Sequence, residues 1–267
     1  MEKVQKMKIK SLLKRTLCDG WELICDYRLP EFCYPAETSE RNNAYLFNPL
    51  YAVVLLASAA AIIAGLYGRF LLWLLPGNGA ALIFALTMLI VCEMRTSFRG
   101  MALSISFLEN LLYGKSFAES AMLRKDDLRN ISGLPALLLA AAGTGCKFFA
   151  LFMAAQSGNY GAVGTAWVIA LAAEGFLAGE PAAENMPAFC GRVKNEYIVA
   201  EAGFCLLFTL IFMPLATLLA AGAAAVLVIA MMNMFIRTSG RITSNDMTMT
   251  GYWLELLTLL IFAVMIG

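Results

Sequence analysis

The charged side chains of this chain are few and clustered, and their types set the chemistry on offer. Residues 95–133 carry six basic groups (Arg95, Arg99, Lys115, Arg124, Lys125, Arg129) and four acidic ones (Glu109, Glu119, Asp126, Asp127). Asp126 and Asp127 are adjacent carboxylates flanked by Lys125 and Arg129. Such a set suits Mg²⁺ held together with a phosphate, and equally suits a solvated turn. A second polar run, Thr238-Ser239-Gly240-Arg241-Ile242-Thr243-Ser244-Asn245-Asp246, has too many hydroxyls, amides and charges to sit in lipid. It reads either as a solvated loop or as a phosphate or metal site. A third group consists of single charges within or at the ends of apolar stretches: Arg69, Glu93, Lys147, Glu174 and Glu255. Ionisable residues there are costly and are functional candidates by default. Lys147 is mid-span and needs a buried partner or a water-filled cavity. Arg69 and Glu93 are near span ends, where a side chain can snorkel to the interface. The chain has no histidine. That excludes histidine-activated nucleophiles, histidine metal ligands and the usual general base. Catalysis would have to use carboxylates, lysine, arginine or a bound metal.

The elements that must position these groups are apolar. The chain is 60% hydrophobic and only 15% charged, with a mean hydropathy of +0.72, far outside soluble-domain usage. The apolar residues form blocks at 49–75, 79–92, 134–155, 162–178, 202–235 and 252–266. A helix of roughly 20 residues spans the hydrocarbon core. The expected fold class is therefore an all-α polytopic membrane protein with about seven transmembrane helices. The count of seven treats residues 202–235, too long for one upright helix, as a hairpin of two short helices with breaks offered by Pro214 and Gly222.

With the N-terminus inside, the connectors that carry Lys or Arg (95–133, 179–201, 237–251) all fall on the cytoplasmic face. The connectors on the other face are short and uncharged, which satisfies the positive-inside rule. A multi-pass protein of the plasma membrane is expected. Residues 1–48 form a cytoplasmic N-terminal segment that starts basic (Lys3, Lys6, Lys8, Lys10, Lys14, Arg15). No apolar core follows those charges, so they are not a signal peptide. They read as an amphipathic juxtamembrane piece with membrane lipid as partner. Residues 49–267 form a single transmembrane domain. Seven cysteines occur without a CxxC, a pattern with no zinc or dithiol signature. The net charge of +1 gives no reason to expect nucleic acid. Self-association is left open, because the GxxxG from Gly175 to Gly179 reads first as ordinary small-residue packing. Between Phe98 and Tyr113, Arg99, Ser106, Glu109 and Asn110 share one helical face, and Met101, Leu103, Ile105, Leu108 and Leu112 lie opposite. An amphipathic interfacial or re-entrant helix is expected there.

In order and spacing these motifs resemble those of cobalamin synthase, the membrane enzyme adenosylcobinamide-GDP ribazoletransferase. The likeness covers most of the chain. Tyr27-Arg28-Leu29-Pro30, followed by the polar run to Asn48-Pro49, is similar to that family's opening pattern. Phe98-Arg99-Gly100-Met101-Ala102 falls where the family has leucine-aspartate-glycine-leucine-alanine. Lys125-Asp126-Asp127 through Gly133, then an apolar span with Lys147, resembles the family's lysine-aspartate-serine-arginine-isoleucine-glycine segment and the lysine-bearing helix after it. Gly240 to Asp246 with Gly251 and Glu255 looks like its closing glycine- and aspartate-containing motif. The departures are specific. The family's first motif has aspartates at i, i+4 and i+7; this chain has Arg99, Leu103 and Ser106 there. Arg241 and a one-residue insertion before Asp246 also depart from the pattern.

The resemblance implies transfer of adenosylcobinamide-phosphate from adenosylcobinamide-GDP to α-ribazole or its phosphate, releasing GMP, with Mg²⁺ as cofactor. The implied partners are the nucleotide-activated corrinoid and the ribazole. Carried over residue by residue, Asp246 and Glu255 are the catalytic candidates. Asp126, Asp127 and Asp246 are the metal ligands, and Arg129, Lys147, Arg99 and Arg241 the phosphate-binding cations. Two other classes stay open. One is a relative that has lost catalysis and serves as a membrane binding or assembly subunit. The other is a small-molecule permease component.

Overall fold

The computed structural model describes residues 2–25, 49–123, 133–178, 203 and 214–266. The protein is an all-α polytopic membrane protein. Nine helices stand among the described residues: α1 (Glu2–Ile24), α2 (Pro49–Leu74), α3 (Gly77–Arg95), α4 (Arg99–Leu112), α5 (Phe117–Met122), α6 (Leu134–Gln156), α7 (Tyr160–Ala178), α8 (Pro214–Ser239) and α9 (Ser244–Ile266). Six of them, α2, α3, α6, α7, α8 and α9, are long and apolar enough to cross a membrane.

Helices α7 and α9 are the centre of the bundle. Their apolar windows are 78% and 61% buried, against 39% or less for the other four. Helix α2 packs on α7 along a seam of small residues. A methyl group on Gly164 would collide with Ala61, and one on Gly68 with the ring of Tyr160. Lipid supplies no hydrophobic drive between helices, so close backbone approach over small residues does the work. The core is accordingly rich in alanine, from Ala80, Ala81 and Ala85 on α3 to Ala150, Ala154 and Ala155 on α6. Large apolar side chains such as Trp73, Leu134 and Val226 point outward, as lipid-facing positions require.

Two expectations change. Helix α8 runs unbroken through Gly222. A single helix glycine costs only about 1 kcal/mol relative to alanine, too little to interrupt an apolar run of this length. Pro214 is the first residue of α8 described, and the half-hairpin expected before it lies outside the described residues. Nor does α4 present the polar face expected of it to solvent. Every residue from Gly100 to Phe107 is buried, as is Asn110. Its polar side chains are satisfied locally: Ser104 Oγ donates to the Gly100 carbonyl at 2.8 Å, and Asn110 Oδ1 accepts from Lys115 Nζ at 2.8 Å.

Helix α4 in effect continues α3 along α6. Near the far end Gln156 Nε2 donates to Asn78 Oδ1 at 3.4 Å, while Glu93 pairs with Lys147 mid-helix. Beyond the break, Thr144 Oγ1 meets Met101 Sδ at 3.5 Å, and Met101 and Ile105 pack with Ala136. Glu109 reaches the start of α6 beside Gly133. The break itself closes as a Schellman-type cap. Ser97 N–H donates to Met94 O at 3.0 Å and Phe98 N–H to Glu93 O at 2.8 Å. Ser97 and Phe98 have φ of 50° and 62°, a left-handed conformation that costs an L-residue about 1–2 kcal/mol. At the equivalent caps of α4 and α6 the left-handed residue is a glycine, Gly114 or Gly158. Two described connectors carry a basic residue, 113–116 with Lys115 and 240–243 with Arg241, and α5, which follows the first, lies beside the second.

Candidate functional site

Two polar centres face each other along α9. The deeper one is a buried ion network built from four helices. Lys147 of α6 lies 2.8 Å from Glu93 Oε1 of α3 and 3.3 Å from Glu255 Oε1 of α9. Arg95 of α3 lies 3.8 Å from Glu255 Oε2 and 3.5 Å from Glu174 of α7. Trp167 Nε1 divides its proton between Glu255 Oε1 at 2.9 Å and Cys92 Sγ at 3.2 Å. The Lys147 ammonium also stands 4.8 Å above the Tyr252 ring. Lys147 and Glu255 are each 1% exposed, Glu93 4% and Glu174 7%. Removing an ion from water costs several kcal/mol even after relaxation, so such a network holds only because each charge has a counter-charge. Glu93 Oε2 is buried with no hydrogen-bond partner among the described residues.

Local sequence explains how these groups converge. Glu93, Arg95 and Cys92 occupy the last turn of α3, so the Ser97–Phe98 break fixes where they point. Gly251 lets Glu174 in, since a methyl group there would collide with the Glu174 side chain. Gly143 lies beside the Tyr252 hydroxyl, which would be 3.2 Å from an added methyl.

The second centre is a pocket of about 330 Å³ where α5 lies beside the 240–243 connector. The end of α8, the 240–243 turn and the start of α9 give it a polar wall of Thr238, Ser239, Arg241, Thr243, Asn245 and Asp246; Ala121 and Met122 of α5, with Phe235, give it an apolar one. Arg99, from the other side of the strained turn, hydrogen-bonds Asn245 Oδ1. Asp246 Oδ2 accepts from Thr243 N at 2.7 Å and from Thr243 Oγ1 at 2.6 Å, while Thr243 Oγ1 accepts from Asp246 N at 3.3 Å. This reciprocal arrangement is a capping box that starts α9.

The sequence-based candidates thus divide between the two centres. Arg241 and Asp246 line the pocket, and Arg99 touches it only through its hydrogen bond to Asn245. Lys147 and Glu255 belong to the buried network. Asp246 and Glu255 are nine residues apart on one helix, about 13 Å along its axis at ~1.5 Å per residue; they cannot act on the same atom. Asp126, Asp127 and Arg129 lie outside the described residues. Among the described residues no group of three or more His, Cys, Asp or Glu could hold a metal ion. The pocket is lined by one capped carboxylate and the Arg241 guanidinium, with the Arg99 guanidinium behind Asn245, a set suited to an anion. A divalent ion would need further carboxylates from outside the described residues. Arg69 is exposed, in keeping with snorkelling, whereas Glu93 is not a snorkelling residue at all. Arg95, Trp167, Cys92 and Tyr252 were not singled out from sequence. Lone charges at Glu93, Lys147, Glu174 and Glu255 in apolar helices were the available signal that cations and carboxylates must meet inside. Comparison with protein-family models, with curated proteins and with solved structures finds no match.

Proposed function

We propose that the pocket is a phosphate-ester site and that the chain is a transferase of the cobalamin synthase type, acting on a nucleotide-activated corrinoid and a ribazole with release of GMP. The observation that supports this most directly is that Arg241, Asn245 and Asp246 line one cavity while Arg99 hydrogen-bonds Asn245 from outside its lining. These residues come from two of the segments in which the resemblance lies, about 140 positions apart, although Arg99 and Arg241 themselves depart from the family's pattern. With the basic connectors facing the cytoplasm, as the positive-inside rule prefers, the pocket opens to the cytoplasmic side of the plasma membrane. The Arg241 guanidinium, with that of Arg99 behind Asn245, would orient and neutralise the transferred phosphate. Mg²⁺, held by Asp126 or Asp127, would supply further charge neutralisation.

A second reading is binding without transfer. Arg99 and the capped state of Asp246 favour it, because the carboxylate face of the family's first motif is replaced by a cation. One experiment separates the two. The purified full-length protein in nanodiscs is given adenosylcobinamide-GDP, α-ribazole and Mg²⁺, and GMP is followed with time. Release of GMP supports transfer, and restored growth of a strain lacking cobalamin synthase would agree. Corrinoid-nucleotide binding with no GMP leaves the binding reading. Neither binding nor release sinks both.

A further inference from the structure

The pocket has two chemically different walls, and this says more than that it accepts an anion. Its volume of about 330 Å³ is at the lower end of the range for small-molecule sites, roughly 300–1,000 Å³, and is far larger than a phosphate group needs. The polar wall comes from the 238–246 segment. The opposite wall, Ala121 and Met122, belongs to α5 and offers no hydrogen-bonding side chain.

That apolar wall continues out of the cavity. Met122 is 65% exposed and Leu123 54%, and Leu112 and Tyr113 just before α5 are 67% and 65% exposed. Exposed apolar side chains that begin at the mouth of a cavity are available to a ligand entering it. The wall is also held in place. Ser116 Oγ accepts from Glu119 N at 3.3 Å while Ser116 N donates to Glu119 Oε2 at 2.9 Å, a complete capping box. The backbone hydrogen bond from Ser116 holds the Glu119 carboxyl below its ordinary value. Phe117 packs edge-on against Phe107 of α4, with ring centroids 4.7 Å apart. A short helix fixed at its start and on one side presents its remaining apolar side chains as a shelf beside the polar wall.

We infer that the pocket's ligand is an amphiphile: a phosphate ester whose apolar portion lies on the α5 shelf while its phosphate meets Arg241, with Arg99 positioning Asn245 beside it. This rests on the phosphate reading above and narrows it to esters with a substantial apolar part. The same chemistry could come from a lipid headgroup in the bilayer or from a soluble amphiphile.

The test titrates hexyl phosphate, inorganic phosphate and 1-hexanol into the full-length protein in phosphatidylcholine nanodiscs, followed by calorimetry, with empty nanodiscs subtracted. Hexyl phosphate should bind at least tenfold more tightly than inorganic phosphate, and 1-hexanol should not bind. Met122→Ser/Leu123→Ser, at two exposed positions, should erase the tenfold preference. Arg241→Gln should weaken both phosphates. Equal affinity for the two phosphates, or a preference that survives Met122→Ser/Leu123→Ser, overturns the amphiphile alone. Binding of 1-hexanol as tight as hexyl phosphate overturns it too. If neither phosphate binds, the phosphate reading falls and this inference with it. Phosphatidic acid included in the nanodisc competes with hexyl phosphate if the bilayer is the source, and leaves it unaffected if the ligand is soluble; both results support the shared chemistry.

Discussion

Replacing Lys147 by methionine is the most direct test of the buried network. Methionine nearly matches the lysine stem in volume, so the substitution removes a charge and leaves little cavity. The Lys147 ammonium is 1% exposed and lies 2.8 Å from Glu93 and 3.3 Å from Glu255. Without it Glu93 has no cation among its described contacts. Glu255 keeps one cation among its described ion pairs, Arg95 at 3.8 Å, together with the Trp167 N–H. Removing one partner of a buried ion pair costs about 3–5 kcal/mol. Two carboxylates depend on this one ammonium, which places Lys147→Met in the upper part of that range. Even 3 kcal/mol lowers the folded-to-unfolded ratio by about a hundredfold or more. The second arm is Lys147→Met/Glu93→Gln. Neutralising Glu93 takes away one stranded charge, so the double variant should recover about 1–3 kcal/mol relative to Lys147→Met alone. Unfolding of the purified protein in mixed micelles with rising SDS, followed by tryptophan fluorescence, reads both arms. Cys146→Ala, beside Lys147 but exposed, should stay within about 0.5 kcal/mol of wild type. If Lys147→Met also stays within about 0.5 kcal/mol, or Glu93→Gln recovers nothing in its background, the charges do not form the network described here.

Four further outcomes follow from single features. Ser97→Gly should stabilise the protein by about 1 kcal/mol in the same assay, because glycine accepts the left-handed cap without the steric penalty; a loss of stability would mean the serine side chain is needed there. Gly164→Val should cost about 1–3 kcal/mol by overpacking α2 against α7, and a neutral result would contradict the close seam at Ala61. Asp246→Asn keeps an acceptor for the Thr243 N–H, whereas Asp246→Ala removes it and costs about 1 kcal/mol of capping. If turnover survives in Asp246→Asn, the aspartate serves α9 and not the reaction. The Glu119 carboxyl is held below its ordinary value by the Ser116 N–H. Its support of α5 is therefore complete above the ordinary carboxylate range and is lost as pH falls through the depressed value. Hydrogen exchange of the Phe117–Met122 amides, corrected for intrinsic rate, should show protection falling on acidification in wild type and no such step in Glu119→Gln.

The helices that cross the membrane were legible in the sequence because bilayer thickness sets the length of an apolar run. The blocks at 49–75, 79–92, 134–155 and 162–178 coincide with α2, α3, α6 and α7 to within a few residues at their ends. Local rules misled where tertiary contacts compete with them. Arg99, Ser106, Glu109 and Asn110 suggested a polar face on α4, yet Ser106 and Asn110 are buried, and a helix serine can bond its own backbone four residues back, as Ser104 does. The end of α3 carried no glycine signal, because the cap at Ser97 and Phe98 uses two residues that avoid positive φ. A break made by strained non-glycine residues has no signature in composition or period. Such strain persists only where surrounding contacts over-determine it.

The site shows the same division. That Lys147 must have a partner follows from its place in an apolar span. That the partners are Glu93 and Glu255 depends on helix register, which one sequence does not contain. The Thr243-x-x-Asp246 spacing is itself a capping pattern, so the structural role of Asp246 was visible beside its proposed catalytic one. What sequence could not show is how the two centres are joined. Arg95 and Arg99 are four residues apart across the Ser97–Phe98 turn, and one enters the buried network while the other reaches the pocket. Their partners Glu255 and Asn245 lie on a single helix. Gly100 also sits tight against Thr248 and Tyr252, where an added methyl would be 3.1 Å from Tyr252 Cβ. Asn245 is thus joined to Glu255 through α9 and, by way of Arg99, to Arg95 through the turn. The charges that hold the bundle together share one helix and one strained turn with the cavity.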